Sequence, residues 1–341
     1  MKKSFFVLGV AVAALASCTN EEVVDMPQSR AIQFGTFVNH STRSSVTETT
    51  KDNLSKFFVF GNYGEGTWTP VYTNVEVDGG KVGNQSVWQP VQTAYWEANE
   101  KYRFGAYSDG TTQNKNVEFK AAEQKLLFTN YTADNTKDLI VALSNVTSNS
   151  DVTANTPVGL SFYHMLSQVK FTFTNTDSYD YIMEISDIKV NAIKTTTGTA
   201  TYGEGEPFIN WDTQSASSEE YNFGTIEDIA EAVDGDSHSK TCFVIPQSNE
   251  NLNVTFTATF SDKSGKTIAE GHFTGKLNYQ GETENTIKGQ WTPGFKYNYT
   301  VEINGSKIDP DLEQQEIEFK VDAVKDWTDA DQTTVAPEEK A

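Results

Sequence analysis

The sequence predicts an all-β protein built from β-sandwiches. Two observations lead to this expectation: apolar and polar residues alternate along many short segments, and clusters of Gly, Asn, Asp, Ser and Thr separate those segments. In "QVKFTFTN", Val169, Phe171 and Phe173 alternate with polar residues, and "LNVTFTATF" (252–260) repeats the pattern. A period of two places one face on a core and the other in water, which is typical of antiparallel sheets, and many such segments favour sandwiches.

The N-terminus carries the features of an export signal. Lys2 and Lys3 precede an apolar run, Phe5 to Ala16. This run is shorter than the roughly 20 apolar residues of a membrane-spanning helix and has the length of a secretory signal. The next residues, Leu15-Ala16-Ser17-Cys18, resemble the bacterial lipobox, in which the cysteine is lipidated after cleavage. We predict a signal peptide at 1–17 and lipidation of Cys18; the alternative is an ordinary cleavage site with an incidental cysteine.

Charge and cysteine content favour a location outside the cytoplasm. Glu21 and Glu22 resemble the acidic pair that directs lipoproteins to the cell surface in Bacteroidota. The formal net charge of −21 argues against a nucleic-acid partner, because such a surface repels polyanions. With Cys18 lipidated, Cys242 is the one other cysteine, so the sequence predicts no internal disulfide and a buried core thiol.

The chain length predicts two domains. The Ser/Thr/Asn-rich run 144–159 lacks apolar periodicity, and we place the boundary there, with an N-terminal sandwich at 44–155 and a C-terminal one at 156–341. Residues 18–43 form a leader before the first domain. Helical periodicity is nearly absent, and only "TIEDIAEAV" (225–233) is predicted to form a short helix.

The sequence predicts no catalytic centre, metal site or cofactor. The four histidines lack the spacings that hold zinc, and no nucleophile motif occurs. Asp236, His238 and Cys242 lie close together in sequence, but a catalytic trio rarely comes from one short loop. The "YGEG" stretches at Tyr63 and Tyr202 are interpreted as β-turns, because they lack the third glycine and the helix of a phosphate-binding loop.

Several segments, in order, resemble the fimbrillin-like pilins of Bacteroidia. They are "AIQFGTFVNHSTRS", "LSKFFVFGNY", "AYWEANEKYRFGAYS", "LSFYHMLSQVKFTF" and "WTPGFKYNYTVEI", the last with Gly294, Tyr297 and Tyr299 before a final Trp327. The resemblance implies two tandem transthyretin-like (Greek-key) sandwiches and a lipoprotein precursor. It also implies maturation by proteolysis and assembly into an adhesive surface fimbrium on the outer membrane by strand exchange. Its partners would be other fimbrial subunits and a host or bacterial surface ligand, and His164 would be a structural interdomain residue.

The chain ends supply candidates for this assembly. Two of the three arginines, Arg30 and Arg43, flank "AIQFGTFV". Cleavage after Arg30 would leave Ile32 and Phe34 in their sheet, whereas cleavage after Arg43 would remove them and open an acceptor groove. The resemblance favours Arg43, with Arg30 as the alternative. Near the other end, "IEFKV" places Ile317, Phe319 and Val321 on one face, as a donor strand or as the last strand of its own domain.

The sequence is also compatible with a function of another class. A monomeric surface lipoprotein could bind glycans through exposed tryptophans, of which the chain has six, Trp68, Trp88, Trp96, Trp211, Trp291 and Trp327. An enzyme is the least favoured class.

Overall fold

A computed structural model describes most of the chain as sheet. The described residues are 30–38, 54–82, 85–110, 112–150, 157–177, 179, 181–230, 237–279 and 286–326. Within these ranges the chain forms 21 strands and no α-helix, and a 3₁₀ turn occupies Gly305–Lys307. This all-β structure agrees with the predicted fold class. In the same ranges, no helical segment has the length and apolar character needed to span a bilayer.

Seven strands form a closed ring around an N-terminal core. In the order of their hydrogen-bonded neighbours they are β1 (Phe34–Val38), β4 (Gln85–Pro90), β3 (Thr69–Val82), β2 (Lys56–Tyr63), β5 (Lys101–Asp109), β8 (Leu139–Thr147) and β9 (Val158–His164). Alternation along β2 and β5 sends one set of side chains, including Phe57 and Phe104, inside the ring. The opposite set, including Phe58 and Tyr107, faces outward onto a second core.

The second core lies between two further sheets. The five strands of the short sheet are β10 (Ser167–Asn175), β15 (Ser237–His238), β16 (Cys242–Val244), β19 (Phe295–Ile303) and β21 (Lys320–Asp326). The nine strands of the long sheet are β6 (Val117–Lys120), β7 (Lys125–Thr132), β11 (Ile182–Thr201), β12 (Phe208–Trp211), β13 (Ser217–Asn222), β14 (Ile226–Ile229), β17 (Asn253–Ser261), β18 (Thr267–Lys276) and β20 (Gln315–Glu318).

The strand β11 links the two halves of the molecule. Its first half pairs with β17 and its second half pairs with β7, so the hairpin β6–β7 from the N-terminal half continues a sheet of the C-terminal half. The same hairpin covers the outer face of the ring: Phe119 lies 6.3 Å from Phe60 between ring centroids, and Phe128 lies 5.7 Å from Tyr107. The ring and both sheets therefore share packing through the second core.

The predicted domain boundary stays a prediction. The strand β9 lies on the C-terminal side of residue 155 but belongs to the ring, because it pairs with β8 and β1. The chain passes from the ring to the short sheet at residues 165 and 166, just after His164. His164 is buried there, and its Nδ1 lies 2.9 Å from Oδ2 of the buried Asp138.

The predicted helix at 225–233 is wrong for its first half, which forms β14; residues 231–233 lie outside the described ranges. Ile226 and Ile229 are both buried and face the same side, although they are three residues apart. Asp228 has φ +58°, and the register shifts there, so β14 contains a bulge that brings both isoleucines onto the core face of β11. A bulged strand thus reproduces the i, i+3 spacing of a helix.

The alternation predicted for 252–260 is confirmed, but the alternation in β10 is incomplete. In β17 the even-numbered residues from Val254 to Phe260 are buried and their neighbours are more exposed. In β10, Gln168 and Thr172 are buried as well as the apolar set, because β10 lies between β19 and the pair β15 and β16. Thr172 Oγ1 donates to Oδ1 of Asn298, which satisfies its buried hydroxyl group.

Two cross-strand pairs combine a glycine with a tryptophan. Gly79 lies opposite Trp88, and Gly198 lies opposite Trp211. A Cβ atom added at either glycine would lie 2.6 Å from the indole ring. The indoles thus fill the space above glycines, an arrangement that compensates for a missing side chain within a sheet.

The substitution Gly198→Ala should lower the free energy of unfolding by about 1–3 kcal/mol, the usual cost of overpacking. Trp211 cannot easily move aside, because its Nε1 donates to the carbonyl oxygen of Met165 over 2.9 Å. The matched control is Gly159→Ala, also in a strand, where an added Cβ would meet no atom within 4 Å. Urea unfolding curves of both variants test this expectation, and equal midpoints for the two would contradict it.

Candidate functional site

The N-terminal segment Arg30–Val38 contributes the strand β1 to the ring and buries two of its side chains in the N-terminal core. Ile32 is 1% exposed and Phe34 is 3% exposed, whereas Gln33 between them is exposed. The strand β1 pairs in parallel with β9 along its whole length, whereas its pairing with β4 within the described residues is limited to Phe34 and Trp88. Parallel pairing is slightly less stable per residue than antiparallel pairing, so the buried side chains contribute much of what holds β1 in place.

Phe34 sits among aromatic rings of the N-terminal core. Its ring centroid lies 6.0 Å from Phe57, 5.9 Å from Tyr72 and 5.8 Å from Phe104. Tyr72 is itself 1% exposed, and this burial raises the pKa of its hydroxyl group well above its usual range. Without β1, these rings and the backbone edges of β4 and β9 would line an open apolar groove.

Of the predicted maturation sites, the structure describes Arg30 but not Arg43. The carbonyl oxygen of Arg30 accepts a hydrogen bond from the amide of Trp96 over 3.0 Å, and Ala31 forms an isolated bridge with Tyr95. The peptide bond after Arg30 is thus part of the folded edge. Cys18, the predicted lipidation site, and Arg43 both lie outside the described residues.

The predicted donor residues Ile317, Phe319 and Val321 pack against the second core of their own chain. They are partly buried and alternate with the exposed Glu316, Glu318 and Lys320, as the period of two predicts. The segment does not stay in one sheet. The strand β20 runs parallel to β18 in the long sheet, and β21 then pairs antiparallel with β19 in the short sheet.

Phe319 lies where this segment changes sheets. Its ring centroid is 5.7 Å from Phe171, 6.1 Å from Phe173 and 6.0 Å from Phe256, so it contacts strands of both sheets. Its ring also lies over Gly275, where an added Cβ would come within 2.5 Å. The C-terminal segment therefore closes one side of the second core much as β1 closes the ring.

The described surroundings of Cys242 do not favour a catalytic centre. Cys242 is buried, and burial raises the pKa of its thiol to about 12, so the thiolate form needed for nucleophilic attack is scarce at neutral pH. His238 Nδ1 lies 2.7 Å from Thr172 Oγ1, and Asp236 lies outside the described residues. Among the residues described, no cluster of three or more His, Cys, Asp or Glu side chains could hold a metal ion.

The tryptophans are mostly core residues, which weakens the case for glycan binding through exposed tryptophans. Trp88, Trp96, Trp211 and Trp291 are buried. Trp68 is half-buried and lines a surface cleft, and Trp327 lies outside the described residues. Of the described tryptophans, Trp68 alone could contact a ligand without rearrangement.

The tyrosines of the C-terminal motif have structural roles. Tyr299 is buried, its hydroxyl group donates to the carbonyl oxygen of Leu277, and it accepts a hydrogen bond from Nε1 of Trp291 over 3.0 Å. Tyr297 is also buried and donates to the carbonyl oxygen of Gln290. Gly294 has φ +76°, a conformation that favours glycine at the turn before β19.

The residues that line the space under β1 were not singled out from the sequence. Phe57, Tyr72 and Phe104 come from three separate strands, and each alternates correctly within its own strand. The alternation could have marked them as core residues, but only the pairing of the ring shows that they meet under Phe34.

Comparison with known protein families gives a match that covers most of the chain. The sequence profile of the family described as fimbrillin-like matches residues 42–327. No curated protein matches the chain in sequence.

Several solved structures are similar to this chain at low sequence identity. A candidate cell adhesion protein from Bacteroides uniformis has 17% identity and a TM-score of 0.46, over 89% of this chain and 100% of that one. The fimbrial anchor protein Mfa2 from Porphyromonas gingivalis has 12% identity and a TM-score of 0.34, over 80% and 90% of the two chains. A fimbrial assembly protein from Parabacteroides distasonis has 10% identity and a TM-score of 0.39, over 81% and 92%. These likenesses are distant, whereas the profile match covers most of the sequence, and on that match the chain belongs to the fimbrillin-like family.

Proposed function

We propose that this protein is a subunit of a surface fimbrium, exported as a lipoprotein lipidated at Cys18 and activated by cleavage after Arg43. The observation that carries the proposal is the segment Arg30–Val38, which contains β1, precedes Arg43 and buries Ile32 and Phe34 in the core of the ring. A strand that lies wholly on the N-terminal side of a cleavage site is separated from the rest of the chain by a single cut. The proposal assigns no catalytic step to the protein.

Cleavage after Arg43 would convert a closed ring into an acceptor. Burial of Ile32 and of Phe34 contributes about 1.5–3 kcal/mol each to the stability of the fold. Their removal would expose an apolar groove, and binding of new apolar side chains in that groove would be favourable. The edges of β4 and β9 would also lose their hydrogen-bonded neighbour. A strand from a second subunit with apolar residues at alternate positions satisfies both needs.

The folded environment of the other arginines favours Arg43. Proteases bind their substrates as extended, accessible chain, but the carbonyl oxygen of Arg30 is bound by the amide of Trp96. Arg103 lies in the middle of the ring, where β5 pairs with β2 on one side and β8 on the other. The family match beginning at residue 42 also leaves β1 outside the matched part of the chain.

The strand that would be donated to the neighbouring subunit can come from either of two places. Ile317, Phe319 and Val321 have the alternation of a donor, but donation would require this segment to leave its aromatic contacts in the second core. If the segment stays in its own fold, the donor must come from another part of the chain or from another subunit. In either arrangement the partners are fimbrial subunits, with a surface ligand at the exposed face of the filament.

Treating the full chain with an arginine-specific protease tests the proposal. The wild-type protein should gain an N-terminus at Ser44 and form SDS-resistant ladders, because the opened groove accepts a strand from a neighbour. Arg43→Lys keeps the charge but removes the cleavage site, so this variant should remain a monomer. Arg30→Ala is the matched control and should polymerise like the wild type.

N-terminal sequencing of native filaments gives an independent measurement. Subunits that begin at Ser44 support the proposal. Filaments composed of chains that still begin at Cys18 would contradict it, as would ladders formed by Arg43→Lys as readily as by the wild type.

A further inference from the structure

A polar cleft lies on the outer face of the ring, away from β1. It has a volume of about 440 Å³, and the side chains that the inference uses are Glu65, Trp68, Lys101, Arg103, Asn145 and Thr147. The pairing of β5 with β8 places Arg103 opposite Asn145 and Lys101 opposite Thr147, so these four side chains share one face. The turn between β2 and β3 brings Trp68 over that face.

The cleft has a small excess of positive charge on a strongly acidic protein. Its lining contains two cations and a single carboxylate, Glu65, although the chain as a whole has a net charge of −21. Lys101 pairs with Glu65, which is 78% exposed. Among the residues that the structure describes, no carboxylate lies within ion-pairing distance of the Arg103 guanidinium. The charge of Arg103 is therefore left without an anionic partner in the described fold.

Arg103 is nevertheless held in a fixed position. Its Nη1 donates to the carbonyl oxygens of Ala121 and Ala122 over 2.7 and 2.9 Å, at the turn between β6 and β7. Its guanidinium carbon lies 4.1 Å from the centroid of the Trp68 ring. These contacts are with neutral groups and use Nη1 and one face of the guanidinium. The Nη2 and Nε donors stay available for a planar anion, and little side-chain entropy is lost when one binds.

We propose that this cleft binds a saccharide unit that carries a carboxylate. The carboxylate accepts hydrogen bonds from Arg103, with Lys101 adding attraction, and the C–H surface of the pyranose ring packs beside the Trp68 indole. Thr147 supplies a hydroxyl group for the sugar hydroxyls, and Asn145, whose Nδ2 also donates to Oε1 of Gln124 over 2.7 Å, supplies an amide. Because the rest of the surface repels polyanions, the site suits a single acidic residue of a glycan and not a densely charged polymer.

The proposal is independent of strand exchange. No residue of β1 lines the cleft, so cleavage after Arg43 leaves its lining intact. A fimbrial subunit with this cleft would carry its own recognition site for acidic glycans on the side of the filament.

Two matched sugars test the proposal on the full chain. Methyl α-D-galacturonide carries one carboxylate, and methyl α-D-galactoside has a neutral hydroxymethyl group at the same position. Titration calorimetry at low salt should show that the galacturonide binds about ten-fold tighter or more, the usual effect of a charge-assisted hydrogen bond. Equal binding of the two sugars, or no binding of the galacturonide at millimolar concentration, would overturn the proposal whatever the variants do.

Variants then assign the binding to this cleft. Arg103→Gln should weaken galacturonide binding about ten-fold or more, whereas Lys189→Gln, which removes a surface cation from β11, should change it less than about two-fold. Trp68→Leu should weaken binding of the galacturonide but not of acetate, because acetate has no sugar ring. Equal losses in the Arg103 and Lys189 variants would show that the sugar senses only overall charge, and would contradict the assignment.

Discussion

Replacing Phe34 with alanine should lower the free energy of unfolding of the uncleaved protein by about 3–5 kcal/mol. Phe34 is 3% exposed and contacts three aromatic rings of the N-terminal core, so its removal leaves a cavity that the rigid ring cannot readily collapse to fill. Chemical denaturation of the full chain, followed by fluorescence, measures this loss.

Two controls connect the result to function. Gln33→Ala alters the exposed neighbour on the opposite face of the same segment and should change stability by less than about 0.5 kcal/mol. In protein cleaved after Arg43, Phe34 is absent, so assembled filaments of the variant should be as stable as those of the wild type. A Phe34→Ala variant whose filaments are also weakened would show that β1 remains in the mature subunit.

Replacing Phe319 with alanine should lower the free energy of unfolding by about 2–4 kcal/mol and release the C-terminal segment first. Phe319 is the contact at which the segment crosses from the long sheet to the short sheet, and three aromatic neighbours surround it. Without that ring, β20 and β21 are held mainly by edge hydrogen bonds. Hydrogen exchange of the amides in 315–326 should accelerate before that of β19.

Glu318→Ala is the matched control for this experiment, because Glu318 is the exposed neighbour of Phe319 at the end of β20. The control should leave exchange in the segment unchanged. If Phe319→Ala leaves exchange in 315–326 as slow as in the wild type, then Phe319 does not anchor the segment, and the C-terminal residues would be more available for donation than the fold indicates.

Local patterns in the sequence were sufficient to predict strands but not their partners. The segments "KFFVFGNY" and "FKYNYTVEI" coincide with β2 and β19, because alternating apolar residues and β-branched or aromatic side chains suit a half-buried sheet. The long pairing of β11 with both β7 and β17 could not be predicted in this way. Register between strands that are far apart in sequence depends on the whole fold and leaves no local trace.

β-Bulges explain why the sequence pattern predicted a helix at 225–233, where the chain forms β14. In "TIEDIAEAV" the isoleucines are spaced as on a helix, yet Asp228 adopts a left-handed conformation that restores a common face within a strand. The same device occurs in β11, where Asp187 has φ +52° and Ile185 and Ile188 are both buried. Aspartate tolerates this conformation better than most residues, so an Asp between two apolar residues three apart is a signal that helical periodicity alone does not capture.

The candidate site was predictable in part. Ile32, Phe34, Ile317, Phe319 and Val321 were identified by alternation near the chain ends, and all five contact a core. The cleft around Arg103 was not predicted, because its lining comes from the ends of separate strands and from two turns. Charge counted along the chain does not show that one arginine lacks an acidic neighbour in space.

The strand β11 also determines how the molecule responds to tension. Its 20 residues extend over about 65 Å and bind β17 along one half and β7 along the other. A pull along the axis of β11 would load rows of main-chain hydrogen bonds in shear, so that many of them must rupture together. We expect the two halves to resist separation in that direction until a whole row of these hydrogen bonds breaks.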